Sequence, residues 1–226
     1  MRKLLPAIVA VAVALAFSLW ALPRLPDQVA THWGLSGQPD DWSSRTFAAL
    51  FFPGMMLVLT AVFAFLPRID PLRRNYEVHG STYWALVNSV VVFMVLVHIA
   101  VLGNGLGWPI PMGRVAPAGV GALFVLIGNL MTRMRPNWFM GIRTPWTLSS
   151  ERVWRKTHRV GGYAFMAGGL LMILIAFVSG PRLVPLLLGV VGVIVLWPVV
   201  YSYLEWRKEQ EEAGQRVGGS AGQRDH

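Results

Sequence analysis

Apolar residues in this chain form six long runs, and short polar connectors separate them. The runs lie near residues 4–22, 47–66, 84–102, 115–131, 162–178 and 183–203. A helix that crosses a bilayer needs about 20 largely apolar residues, with a tolerated range of roughly 17 to 25. Each run is therefore predicted to form one transmembrane helix, which makes the chain an all-α integral membrane protein.

The first run follows Arg2 and Lys3, an arrangement that also occurs in signal peptides. Leu19 and Trp20, however, stand where a cleavage site requires small residues. We therefore expect a retained first helix.

Composition agrees with a membrane protein and excludes several other classes. Hydrophobic residues make up 54% of the chain, charged residues make up 14%, and the mean hydropathy is +0.51. Soluble domains usually carry about 25% charged residues. The absence of cysteine excludes disulfide bonds, thiolate metal sites and a cysteine nucleophile. The formal net charge of +9 does not indicate direct nucleic acid binding, because the basic residues are distributed among the connectors.

The basic residues predict the orientation of the chain in the membrane. If the N-terminus is cytoplasmic, sixteen of the twenty Lys and Arg residues fall on the inner side. The other four are Arg24, Arg45, Arg114 and Arg182. Because cytoplasmic segments carry an excess of Lys and Arg, this distribution predicts an N-in/C-in topology.

The longest polar insert lies between the fourth and fifth runs, at residues 133–161, and holds seven of the twenty basic residues. If the second half is helical, with about 100° per residue, its basic side chains lie along one side of the helix. Mostly apolar and aromatic side chains lie along the opposite side. The basic stripe is Arg152, Arg155, Lys156 and Arg159, and the opposite side is Val153, Trp154, Thr157 and His158. This pattern predicts a basic amphipathic cytoplasmic helix. Thr147, Ser149 or Ser150 could cap its start, and Gly161-Gly162 should end or bend it.

The first half of the insert is predicted to be a loop, because Gly141 and Pro145 break regular structure. Arg143 and Thr144 lie between them. One interpretation is an interfacial linker whose arginines face lipid phosphates. The other is a loop of fixed shape, in which the Arg143 guanidinium binds a carbonyl or carboxylate and holds the loop against the following helix.

The first outer loop, residues 23–46, is predicted to be compact. Turn-forming residues recur along it, and we expect His32 and Trp33 to pack onto the bundle. Its acids and its histidine could together ligate a divalent metal, but no pair has a recognised ligand spacing, so no metal or cofactor is predicted. These four residues are Asp27, His32, Asp40 and Asp41.

Three further expectations concern single segments. The connector around Asp70 and Glu77 should be a solvated cytoplasmic turn. His98 is the one ionisable residue within the runs, and a hydrogen-bonded packing role is favoured over a functional one. The hydrophilic tail is expected to be disordered from about Gly214.

Two stretches resemble known families. The insert, with Gly141-Ile142-Arg143-Thr144-Pro145-Trp146 at its centre, resembles the signature of the SdpI family of bacterial membrane proteins. The outer loop resembles the DUF1648 domain that often precedes it. Candidate functional residues in the insert are Asn137, Gly141, Arg143, Thr144, Pro145, Trp146, Ser149, Trp154, Lys156 and His158, and those in the outer loop are Pro26, His32, Trp33, Gly37 and Asp40.

The resemblance divides the chain into three parts: a DUF1648-like region (1–66), an SdpI-like helical bundle (67–203) and a cytoplasmic tail (204–226). It implies a non-catalytic protein of the bacterial cytoplasmic membrane. Such a protein would protect against a secreted toxic peptide at the outer face and hold a cytoplasmic transcriptional repressor at the inner face.

Two alternatives remain open from the residues alone. A membrane-embedded, metal-dependent hydrolase could use His158, Glu151 and Arg143. Glu151 and His158 are two helical turns apart, about 10 Å in rise, which is too far for one metal unless a third element folds back. A small transporter would usually show buried acids or a broken helix pair, and neither pattern is evident.

Overall fold

A computed structural model describes residues 2–34, 37–178 and 183–221. In these residues, six helices are long and apolar enough to cross a membrane. They are α1 (Leu5–Ala21), α2 (Arg45–Ile69), α3 (Asn75–Gly105), α4 (Met112–Met131), α6 (Glu151–Ile175) and α7 (Leu183–Ala221). A short helix, α5 (Pro145–Ser149), precedes α6, and 3-10 turns lie at Arg2–Leu4 and Leu22–Arg24. The predicted all-α membrane architecture with six transmembrane helices is confirmed.

The outer loop contains an antiparallel hairpin that the sequence pattern did not predict. Its strands are β1 (Gln28–Trp33) and β2 (Pro39–Ser44), and the register is irregular on either side of His32. β-branched residues favour β1, whereas the sequence of β2 is mostly polar and has no apolar alternation. We call the end of the bundle that carries residues 23–46 the hairpin end, and the end that carries residues 133–161 the insert end.

Small residues allow α1 to pack closely within the bundle. The buried positions of α1 are Ala7, Ala10, Ala14, Ser18 and Ala21, at helical spacings of three and four. The Ser18 hydroxyl donates to the Ala49 carbonyl of α2 at 2.6 Å, and the same oxygen lies 2.7 Å from Nε2 of His98 on α3. His98 is fully buried. It therefore occupies a hydrogen-bonded packing position that joins three helices, as predicted.

Glycines bring α4 and α6 into backbone contact. A Cβ on Gly128 would lie 2.5 Å from the Gly162 carbonyl, and a Cβ on Gly121 would lie 2.6 Å from the Gly169 carbonyl. The same pairs meet reciprocally, as antiparallel helices require. A helix end at Gly161-Gly162, one of the two predicted outcomes, is therefore wrong, since α6 runs through both residues to Ile175. Close packing at Gly162 offsets the low helix propensity of glycine.

The tail differs from its predicted disorder. Helix α7 extends to Ala221, well past Gly214. Arg207 pairs with Glu211 one turn later at 3.2 Å, and Glu212 binds Arg152 of α6. These contacts supply side-chain partners to a segment that is mostly polar. Residues 222–226, which the same prediction covered, lie outside the described residues.

Candidate functional site

Asn137 closes the first turn of the insert. Its side chain is buried, and Oδ1 accepts hydrogen bonds from the backbone N–H groups of Phe139 (3.1 Å) and Met140 (2.7 Å). Its Nδ2 donates to the Arg135 carbonyl at 3.1 Å. Both halves of the amide are thus occupied by local backbone, which fixes the path of the chain into the loop.

Gly141 and His158 hold the loop against α6. Gly141 has a φ of +99°, and a Cβ at this position would collide with Nε2 of His158. Nε2 of His158 accepts the Ile142 N–H at 3.0 Å, and Nδ1 donates to the Trp154 carbonyl at 2.9 Å. Because a backbone N–H only donates and a carbonyl only accepts, this geometry defines a neutral imidazole with its proton on Nδ1.

Trp154 contacts both His158 and the start of the insert. It is fully buried, its ring stacks on His158 with a centroid distance of 3.9 Å, and its Nε1 donates to the Met134 carbonyl at 2.9 Å. Met134 lies at the start of the insert, three residues after the end of α4. Trp154 therefore ties the start of the insert to the helix that follows it.

Thr144 and Thr147 form a reciprocal capping box on α5. The Thr144 hydroxyl accepts the Thr147 N–H at 3.2 Å, and the Thr147 hydroxyl accepts the Thr144 N–H at 2.9 Å. Thr144 also lies 3.1 Å from the Ser202 hydroxyl of α7. Pro145 occupies the first position of α5, and the Trp146 ring lies 5.1 Å from the Tyr203 ring. The capping box thereby docks α5 onto α7.

Arg143 binds a carbonyl, but this carbonyl belongs to the preceding loop and not to the helix that follows. Its Nη1 donates to the Trp138 carbonyl at 2.6 Å, and its side chain is exposed. The contact closes the preceding loop on itself, whereas the prediction placed it against the helix that follows. Loop and helix are joined instead by His158 and Thr147, whose hydroxyl donates to the Ile142 carbonyl at 2.8 Å.

Asp70 is a site residue that the sequence did not reveal. It is 2% exposed, so the predicted solvated turn is wrong at this position. Its carboxylate accepts the Leu72 N–H (2.7 Å), the Tyr76 hydroxyl (2.8 Å) and the Trp138 N–H (3.0 Å). Burial, the hydrogen bond to Asp70 and the charge of that carboxylate raise the pKa of Tyr76 well above its usual range, so its hydroxyl remains a donor. The one sequence signal was Asp directly before Pro71, a turn-forming pair.

A second contact completes this junction, because Asn75 Nδ2 donates to the Pro136 carbonyl at 2.7 Å. The α2–α3 turn is thus hydrogen-bonded to the insert at two nearby residues, Pro136 and Trp138. The Trp138 peptide is held at both ends, its N–H by Asp70 and its carbonyl by Arg143. Its indole remains 50% exposed.

The amphipathic pattern of the insert helix is confirmed. Four side chains are buried and four basic ones lie on the opposite side; the buried ones are Val153, Trp154, Thr157 and His158. Ser150 caps the helix by accepting the Val153 N–H at 3.2 Å, whereas Ser149 is exposed and donates to the Trp146 carbonyl.

The basic stripe is largely paired within the chain. Lys156 forms an ion pair with Glu205 of α7, and Arg152 binds both carboxylate oxygens of Glu212, at 2.5 and 3.1 Å. Glu205 is 7% exposed. Arg155 pairs with Glu151 at 2.9 Å. Much of the stripe therefore fastens α6 to α7 rather than facing lipid.

The residues of the hydrolase alternative do not converge. Glu151 binds Arg155 and Arg135, Arg143 binds a backbone carbonyl, and both nitrogens of His158 are occupied. Among the side chains that the structure describes, in residues 3–34, 37–76, 80–178 and 183–216, no three His, Asp or Glu residues are grouped so as to hold a metal ion. The insert is therefore built as a hydrogen-bonded scaffold.

In the outer loop, Trp33 packs on the bundle and His32 does not. Trp33 lies against the buried cluster of Ala100, Val101 and Met112. His32 is exposed and pairs with Asp40 at 2.5 Å, so its expected packing is wrong. Alternate side chains of a strand face opposite sides, and the irregular register at His32 directs it outward.

The other acids of the outer loop are also separated. Asp27 lies 3.6 Å from Arg45, and Asp41 accepts the Trp42 N–H at 2.8 Å. Pro26 is exposed. Gly37, with a φ of +74°, comes so close to Gly113 that a Cβ would lie 3.1 Å from its Cα. The tip of the hairpin therefore rests on the start of α4.

Comparisons with known proteins match the insert and the outer loop to two different families. The SdpI/YfhL protein family matches residues 133–202, which comprise the insert, α6 and the first half of α7. A domain of unknown function, DUF1648, matches residues 9–57, which comprise the hairpin and parts of its flanking helices. No solved structure matches the chain significantly.

A curated relative matches nearly the whole chain. The protein named Immunity protein SdpI, from Bacillus subtilis (strain 168), is 22% identical over 208 residues, and the alignment covers 92% of this chain and 98% of that protein. Both matched regions occur in the predicted order, together with six membrane-spanning helices. The chain is therefore a multi-pass bacterial membrane protein whose residues 133–202 match the SdpI/YfhL protein family and whose residues 9–57 match DUF1648.

Proposed function

We propose that this protein is a non-catalytic immunity protein that also transmits a signal. The hairpin end meets a secreted toxic peptide, and the insert end holds a cytoplasmic transcriptional repressor at the membrane. A relative that is named an immunity protein and is alignable over 92% of the chain supports the first part. The internal structure of the insert supports the second.

The observation that carries the proposal is that the polar groups of the insert bind one another and its own backbone. Asn137, Thr144 and His158 each have both donor and acceptor functions occupied by neighbouring groups. A general base or a metal ligand needs a lone pair directed at a substrate or an ion. A scaffold that holds exposed side chains in fixed positions needs only internal bonds. The insert therefore resembles a recognition surface more than a reaction centre.

The path of the chain supports communication between the two ends. Ser44 is the last residue of β2 and caps α2, and Asp70 follows directly after α2. Asp70 in turn binds the Trp138 N–H of the insert. A displacement of the hairpin would therefore reach the insert through one helix and one hydrogen bond.

A complementation experiment tests the proposal. The gene is deleted, the strain is exposed to a panel of membrane-active peptides, and resistance is restored with wild-type protein. We expect Trp42→Ala at the exposed hairpin to reduce resistance, and Trp138→Ala at the insert end to reduce membrane capture of the repressor while leaving resistance intact. Equal insertion of both variants is checked by immunoblotting. A deletion strain with unchanged sensitivity to every peptide would contradict the immunity role.

A further inference from the structure

The first part of α6 and the last part of α7 extend beyond the apolar part of the bundle at the insert end. Residues 151–161 of α6 precede its apolar run, and residues 204–216 of α7 follow the apolar run of that helix. The two extensions lie against each other, because Lys156 of the first forms an ion pair with Glu205 of the second. The two helices therefore continue to pack beyond their apolar runs, with charged side chains between them.

Three glutamates form an acidic row along this part of α7. Glu205, Glu209 and Glu212 are four and three residues apart, a spacing that places them on one face of a helix. All three are buried or half-buried, whereas Lys208 and Glu211, which lie between them in sequence, are exposed. The acidic row therefore faces α6 rather than the solvent.

The facing surface of α6 carries a basic row, which consists of Arg152, Arg155 and Arg159. Glu212 accepts two hydrogen bonds from Arg152, at 2.5 and 3.1 Å, and Glu205 lies 3.5 Å from the same guanidinium. Arg155 and Arg159 are exposed and, at 100° per residue, lie within about 60° of Arg152 around the helix. A helix with carboxylates three and four residues apart is thus already seated on Arg152. Guanidinium groups bind carboxylates through paired hydrogen bonds, so the basic row suits an acidic helix.

Residues 207–216, which we call the end of α7, are held weakly. Among the side chains that the structure describes, the Arg152–Glu212 pair is the one ion pair or hydrogen bond that ties this segment to the rest of the chain. The two side chains are 32% and 34% exposed. Breaking an ion pair that solvent reaches changes an equilibrium by only about two- to fivefold. The end of α7 can therefore leave α6 while the buried Glu205 keeps its place.

We propose that the basic row of α6 binds an acidic helix of the cytoplasmic partner, and that the end of α7 covers Arg152 until this helix displaces it. The inference rests on the proposed capture of a partner at the insert end, and it adds the chemistry of the contact. Displacement frees Arg152, which then joins Arg155 and Arg159 in one exposed row. The end of α7 is thus a competitor within the chain, and the strength of its contact lowers the apparent affinity for the partner.

Two variants break the same ion pair and differ in what they leave behind. Glu212→Gln loosens the end of α7 and leaves the Arg152 guanidinium free, whereas Arg152→Gln loosens the same segment and removes the guanidinium. Hydrogen–deuterium exchange of residues 207–216 should become about two- to fivefold faster in both variants, because both lack the ion pair. Unchanged exchange in both variants would overturn the proposal.

Peptide binding then separates the two variants. The probe is a labelled peptide that copies residues 203–216, added to the full-length protein in phosphatidylcholine nanodiscs and followed by fluorescence anisotropy. We expect Glu212→Gln to bind it about two- to fivefold more tightly than the wild type, because its Arg152 is uncovered. Arg152→Gln opens equally but lacks the guanidinium, so it should show no such gain. A peptide that carries Glu205→Gln, Glu209→Gln and Glu212→Gln should not distinguish the three proteins.

Glu211→Gln is the matched control. It makes the same change of charge one residue away, and Glu211 pairs with Arg207 within α7, so peptide binding should stay near the wild-type level. Equal gains from Glu211→Gln and Glu212→Gln would reduce the effect to net charge and overturn the proposal. Equal binding by Glu212→Gln and Arg152→Gln would also overturn it. A gain that disappears in phosphatidylglycerol nanodiscs would show that lipid headgroups occupy the basic row, which would overturn it as well.

The peptide assay uses neither a toxic peptide nor a repressor, so it fails independently of the proposed function. A peptide gain without repressor capture in cells would contradict the proposed function and leave the acidic-helix site in place. Repressor capture without a peptide gain would contradict the acidic-helix site alone.

Discussion

Asp70→Asn should loosen the contact between the α2–α3 turn and the insert. The carboxylate accepts three hydrogen bonds, one at Oδ1 from Leu72 and two at Oδ2 from Tyr76 and Trp138. An amide presents one acceptor and one donor group, so at least one of these donors must face an NH₂ group. Turning the NH₂ toward Leu72 gives the smallest loss. Because bonds to charged acceptors contribute about 1.5–3 kcal/mol each, the variant should lose about that much stability at the junction.

The chain has no cysteine, which allows a direct assay of this loss. Met134→Cys places a single thiol at a position that is 6% exposed beneath the insert. A thiol reagent reaches it only when the insert opens, so its labelling rate reports the opening equilibrium. A loss of about 1.5–3 kcal/mol corresponds to roughly 10- to 150-fold faster labelling in the Asp70→Asn background.

Glu151→Gln is the matched carboxylate-to-amide control. Glu151 makes its ion pairs at the surface, where such pairs contribute about 0–1 kcal/mol, so labelling should change by less than about fivefold. If Asp70→Asn labels at the wild-type rate, Asp70 does not hold the insert and the inferred link from α2 to the insert fails.

Three other outcomes follow from the packing and the charge distribution. Gly162→Ala places a methyl group against the Gly128 carbonyl and should lower the free energy of unfolding in detergent by about 1–3 kcal/mol. Gly192→Ala is the control, because a Cβ there has nothing within 4 Å and should not destabilise the protein. Equal effects of the two changes would contradict the close α4–α6 contact. Lys156→Met should destabilise the protein by about 1–3 kcal/mol more than Glu205→Gln does, because the Lys156 change leaves the buried Glu205 carboxylate with Arg152 as its one remaining ion-pair partner. The reverse order of melting temperatures would contradict the pairing of Lys156 with Glu205. Alkaline phosphatase, which is active only outside the cytoplasm, should be active when fused after Gly37 and inactive when fused after Thr144, and the opposite pattern would overturn the N-in/C-in topology.

The features of this fold that come from repeating local patterns, namely the membrane-spanning helices and the amphipathic helix, were predictable from the sequence. The six apolar runs each fall within the length range of a membrane-spanning helix, and the sides of the helix at 151–159 follow from residue type at 100° steps. Such signals are local, repeat over many residues and need no knowledge of the partner helix. The resemblance of the insert and the outer loop to their families also rests on local patterns, and the family matches confirm it.

Features that depend on distant partners were not predictable. From the sequence, Asp70 was expected to be a solvated acid, because its donor, the Trp138 N–H, lies 68 residues away in the chain. Gly162 reads as a helix breaker until Gly128 of α4 comes into contact with it. The basic stripe reads as lipid-facing until Glu205 and Glu212 of α7 pair with it. The hairpin was missed because β2 is mostly polar and shows no apolar alternation.

Repressor capture restored by His158→Gln in the deletion strain tests most directly whether the insert acts through its shape. A glutamine can place an acceptor near the Nε2 position and keep the bond from the Ile142 N–H, whereas leucine cannot, and neither can serve as an imidazole base or ligand. The account predicts that His158→Gln retains most of the wild-type repressor capture, and that His158→Leu loses it. If His158→Gln inserts and melts like the wild type but is as inactive as His158→Leu, the imidazole itself is required and the non-catalytic account is contradicted.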